Sequence, residues 1–139
     1  MADEADLPAA LTRFIDLFNR QEFWESHEVL ESSWRASGSR FYHGLILLAS
    51  AFVHVQRDNT HGIAAQLRKA ERALAPYPPE YLGIDVVTLR RSARELRDRA
   101  QAEEAPRGHR ASWASRVTYP RLVIDPSRVR GDEPELAGG

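Results

Sequence analysis

The chain has 139 residues, a formal net charge of −1 and no cysteine. That length suits one domain able to bury a core without covalent staples. The missing cysteine excludes disulfides, thiolate catalysis and thiolate-held metal, and the balanced charge gives no global pull toward nucleic acid or an anionic membrane.

The opening MADEADLPAA is acidic and has neither the basic nor the apolar region of a secretory signal. The apolar run GLILLASAFVHV spans twelve residues, 44–55. A membrane span needs about twenty, so this run predicts a buried core helix and a soluble cytoplasmic protein with no membrane partner.

The first predicted helix starts near Pro8 and ends near Asn19, with Leu11, Phe14, Ile15 and Phe18 on one apolar face. A second covers residues 22–35 and stops at the ASGS stretch, 36–39. The third, residues 40–55, is apolar nearly all round, as a central helix must be. After the turn RDNTHG, with Asn59 or Thr60 as N-cap, helix four carries Ile63, Leu67, Ala70 and Leu74 until the PYPP stretch breaks it. Asp85 is placed to cap a fifth helix with a seam of Val86, Leu89, Ala93, Leu96 and Ala100. Short connections favour antiparallel neighbours, so the expected fold is all-α, a compact bundle of about five helices. The expected division is a bundle domain at residues 1–105 and an arginine- and proline-rich arm at 106–139. Val117, Tyr119, Leu122 and Ile124 would let the arm pack in extended form over the bundle, and its last ten or so residues are expected to be disordered.

Candidate chemistry lies on helices two and three. At 100° per residue, Phe23, Leu30 and Trp34 share a direction, His27 falls among them and Glu31 sits at the edge of the same face. A buried carboxylate needs a partner or a raised pKa. Helix three offers one, because His43, Leu47, Ser50 and His54 form a single stripe on an otherwise apolar cylinder. With that stripe turned toward helix two, His27, Glu31 and His54 converge, lined by Phe23, Trp34, Gly44 and Ser50. Phe23 and Trp24 are read as core side chains and Gly44 as a close helix crossing.

The stretches LFNRQEFWESHEVLESSWR, FYHGLILLASAFVH and DNTHGIAAQLRKAERAL together resemble the domain of unknown function 309 family. The matching positions are Asn19, Phe23, Trp24, His27, Glu28, Glu31, Trp34, Gly44, Leu45, Ile46 and His54. The resemblance implies a helical fold and brings no activity, substrate or cofactor.

Three readings of the cluster stay open. His27, Glu31 and His54 suit a divalent transition metal with open positions for water, and hence a hydrolase-like site, although the peptidase pattern His-Glu-x-x-His would need histidine at Glu31. They also suit metal-free acid–base catalysis or small-molecule binding. The third reading is structural, a glutamate and a histidine satisfying each other inside the bundle. A separate alternative is a non-enzymatic interaction module. In it Arg90, Arg94 and Arg97, with the arginines of the tail, contact a protein or nucleic acid; interleaved Glu95 and Asp98 argue instead for a solvated, salt-bridged face. Enzymatic activity, the partner and a homodimer are left undecided.

Overall fold

The computed structural model describes residues 8–104 and 111–125. Among them are α1 (Ala9–Asn19), α2 (Phe23–Ser37), α3 (Arg40–Gln56), α4 (Thr60–Leu74) and α5 (Val86–Ala102), each packed on its neighbours in the chain. The fold is all-α, as expected. Helices α2 and α3 run antiparallel, with Phe23 against Phe52 at one end and Trp34 against His43 at the other. Antiparallel α3 and α4 bring Gly44 to Leu74 and His54 to Gly62. An added Cβ on Gly44 would lie 2.6 Å from a Leu74 methyl, so the expected close crossing is present and it is with α4.

Local chemistry sets the helix ends. Pro8 precedes α1, where its missing N–H costs nothing. Helix α2 runs two residues past the expected stop, because only Gly38, at φ 70°, takes the left-handed conformation that ends it. Ser39, Asn59 and Asp85 cap α3, α4 and α5 by accepting from Tyr42 N–H, Gly62 N–H and Thr88 N–H. The Thr88 backbone and hydroxyl donors both favour the ionised Asp85 carboxylate and hold its pKa down.

Helix α3 is the centre, with twelve of its seventeen residues buried. Each such leucine, isoleucine or phenylalanine contributes roughly 1.5–3 kcal/mol by leaving water. The seam of α5 is the expected one. On α1 the buried fourth residue is Leu17 rather than Ile15, which is half-buried. Residues 80–85 also differ from expectation. They form a hairpin of β1 (Glu80–Tyr81) and β2 (Ile84–Asp85), paired Glu80 to Asp85 and Tyr81 to Ile84. Leu82 and Gly83, at φ 53° and 75°, make the two-residue turn, whose positive angles match strand twist.

The arm lies on the bundle in extended form between a single helical turn, Trp113–Ser115, and Asp125. Leu122 is buried, and Val117, Tyr119 and Ile124 pack against the core. Tyr119 joins an aromatic group with Phe23, at 5.1 Å, and Phe52, at 5.5 Å. Asn19 holds the arm by its main chain. The side-chain amide donates to the Leu122 carbonyl at 2.8 Å and accepts the Leu122 N–H at 2.7 Å. The expected domain boundary near residue 105 and the expected disorder of the last ten residues lie outside the described residues, as do Arg107, Arg110, Arg128 and Arg130. No helix among the described residues is long and apolar enough to cross a membrane.

Candidate functional site

Antiparallel packing with Trp34 over His43 sets the register of α2 on α3. Seven residues back from Trp34 is His27 and seven on from His43 is Ser50, so His27 is level with Ser50. Ser50 is in turn joined to α4, its hydroxyl accepting from Gln66 Nε2 at 3.0 Å. The polar stripe of α3 therefore lies at the seam of α2, α3 and α4, facing α4 as much as α2.

Two buried polar atoms at this level have no partner within the protein: His27 Nδ1 and Gln66 Oε1. The other two such atoms among the described residues are the Nε atoms of Arg90 and Arg97, on α5. An unsatisfied buried donor or acceptor costs about 1–3 kcal/mol, so a fold keeps one at a site that a further molecule completes or at a cost to stability.

His54 is held at the corner where α3 turns into α4. Its Nδ1 is 3.2 Å from Asn59 Nδ2, and Asn59 Oδ1 is committed to the Gly62 N–H. The amide thus turns its NH2 toward the ring, which makes His54 Nδ1 an acceptor and leaves the neutral ring's proton on Nε2. Burial and the nearby charge of Arg57 both hold the His54 pKa below the usual histidine value. The ring rests on Gly62, where an added Cβ would meet Nδ1 at 2.4 Å and Cγ at 2.5 Å. We expect Gly62→Ala to expel the His54 ring, break the Asn59 contact and cost about 1–3 kcal/mol. An unchanged His54 ring environment in the proton spectrum of that variant would refute this placement.

Arg57 connects the two histidines. Its guanidinium lies 5.5 Å from the Trp24 ring centroid, and Trp24 packs on His27 at 5.3 Å. Trp24, expected in the core, is 45% exposed. Its indole is the exposed outer edge of the seam.

Glu31 departs from expectation. Its carboxylate accepts from Arg35 of the same helix at 3.0 Å and is 33% exposed, so its partner is a surface arginine rather than a histidine of α3. The expected metal-ligand set of His27, Glu31 and His54 is therefore not assembled. Among the described residues no three histidine, aspartate or glutamate side chains come together as a group able to hold a metal ion. Phe23 is buried beside Phe52 and Tyr119, and Gly44 faces Leu74, so both belong to packing. Trp34 stacks on His43 with the rings 4.2 Å apart and 5° from parallel.

Sequence reasoning missed Gln66, and it read Asn59 as the cap of α4 without its contact to His54. Gln66 falls on α4, four residues after Gly62, and the signal was available in that spacing, which puts both on the side facing α3. Two arginines of α5 and one of the arm are engaged inside the molecule. Arg94 and Arg97 both bind Glu71 of α4, and Arg116 of the arm makes a two-pronged pair with Glu103 at 3.0 and 3.1 Å. Of the three α5 arginines assigned to phosphate contact, two therefore hold α5 to α4.

No curated protein matches the sequence. Residues 11–66 run from α1 into α4 and include every side chain of the seam from Trp24 to Gln66, with Asn19 of the arm clamp. They match the family model of the domain of unknown function DUF309, the family that the sequence resembles.

Proposed function

We propose that the protein binds a small molecule at the seam of α2, α3 and α4. The observation that carries the reading is the pair of unpartnered buried atoms, His27 Nδ1 and Gln66 Oε1, at the level of the Ser50 hydroxyl. Gln66 Oε1 accepts only, so the ligand presents a donor there; His27 takes either role according to its tautomer. His54, with its proton on Nε2, and Arg57 over Trp24 stand at the outer end, where they add a donor and a cation. The ligand is accordingly small, polar and hydrogen-bonding on two sides, and it is bound without a metal. Binding rather than turnover is the reading.

The test is a stability measurement on Ser50→Ala combined with Gln66→Met. Removing both members of a polar pair and the orphaned oxygen with an isosteric side chain is neutral or favourable when the pair serves a ligand. The expected result is a gain of about 1 kcal/mol in urea unfolding, with His27→Leu adding to it. A loss above about 1 kcal/mol would show that these groups are satisfied in the free protein and hold its packing register, and the ligand reading would fall.

A further inference from the structure

Two turns along α3 from Ser50 the surface changes character. A groove of about 320 Å³ between α3 and α4 is lined by Arg40, His43, Leu47, Lys69, Arg72 and Ala73. Its residues are distinct from His27, Ser50 and Gln66. Arg40, Lys69 and Arg72 are exposed, and among the described residues no carboxylate pairs with any of them. Elsewhere Arg20, Arg35, Arg94, Arg97 and Arg116 each hold an acidic partner; what sets Arg40, Lys69 and Arg72 apart is that the three line one groove. Three cations converging on one groove repel one another, an arrangement that an anion relieves. The floor is apolar, made by Leu47 and Ala73, and one wall is the His43 ring with Trp34 of α2 stacked behind it.

We propose that this groove binds a small phosphate monoester, with the phosphate on Arg40, Lys69 and Arg72 and the esterified group on Leu47, Ala73 and the His43 ring. Two guanidinium groups supply paired N–H donors that match phosphate oxygens, and the lysine supplies a mobile point charge. The apolar floor selects a monoester over inorganic phosphate, and the volume lies at the small end for ligand pockets. Burial and the Lys69 charge keep His43 neutral by lowering its pKa, so its ring serves as a flat contact until a dianion arrives. A dianion beside it then favours the protonated ring and adds a further donor.

The experiment titrates the full-length chain at fixed ionic strength with inorganic phosphate, phenyl phosphate and a short single-stranded RNA, by calorimetry and by the His43 imidazole proton resonances. Phenyl phosphate is expected to bind at least tenfold more tightly than inorganic phosphate and to raise the His43 pKa. Lys69→Gln with Arg72→Gln is expected to weaken binding at least tenfold. Both positions are exposed, so the fold persists, which the thermal midpoint checks. Arg121→Gln on the arm should leave affinity unchanged. Three outcomes would overturn the proposal: no binding of phenyl phosphate at millimolar concentration, equal binding in the Lys69 and Arg72 variant, or RNA bound more tightly than the monoester. The last would make the groove a nucleic-acid contact instead. None of them bears on the Ser50 and Gln66 stability test.

Discussion

Trp113→Ala is expected to lower the unfolding free energy by about 3–5 kcal/mol, the usual cost of removing a buried indole. Trp113 is 2% exposed, and four contacts converge on it. Its backbone N–H donates to Asp58 Oδ1 at 2.8 Å, and its indole N–H donates to Thr60 Oγ1 at 2.8 Å. The Arg116 guanidinium lies 4.2 Å from the ring centroid on one side, and Arg99 of α5 contributes a second cation at 5.6 Å. The indole therefore fastens the arm to the α3–α4 turn and to α5 at once. Urea unfolding reads the loss directly. Trypsin should meanwhile cut the variant after Arg116 and Arg121 faster than the parent, while circular dichroism keeps its helical signal. Parent-like stability with parent-like proteolysis would mean that the arm is held elsewhere.

Glu71→Ala is expected to cost about 3 kcal/mol, well above the value of an exposed ion pair. The Glu71 carboxylate is 12% exposed and binds Arg94 Nε at 2.7 Å as well as Arg97. Removing it leaves the Arg97 guanidinium, itself largely covered, with the exposed Asp98 as its remaining acidic partner and none on α4. Pairing the change with Arg97→Met should recover much of the loss, because no covered guanidinium is then left short of its α4 partner. A single-variant cost below about 0.5 kcal/mol would mark the cluster as an ordinary surface pair. The same variant addresses the interaction-module alternative. Freeing Arg94 and Arg97 should create salt-sensitive RNA binding that the parent lacks, if those side chains are struts in the native protein.

The helices were legible because each carries a period and a stop that act locally: Pro8, the Asn59 and Asp85 caps, and the seam of α5 need no knowledge of the rest of the chain. The 80–85 hairpin was not, since strands of two residues have no period to detect, and the left-handed Leu82 is an uncommon turn residue. At the site, the polar stripe of α3 could be read from spacing alone. Its partner could not, because an all-round apolar helix has no face that dictates which neighbour lies where. The α3 stripe was assigned to α2, and Ser50 bonds to α4 instead. Glu31 shows the same limit from the other side. An edge position on a helical wheel does not say whether Arg35, one turn along, will draw the carboxylate outward.

The Asn19 clamp has a consequence for how this sequence can change. A carboxamide bonded to the N–H and the carbonyl of Leu122 touches atoms that nearly every amino acid possesses. The attachment is therefore blind to spelling on the arm's side: substitution at residue 122 alters how well the core is filled and leaves both bonds in place. Proline alone forfeits one of them, having no N–H to give. The constraint is lopsided, with nearly all of it resting on one residue at the end of α1.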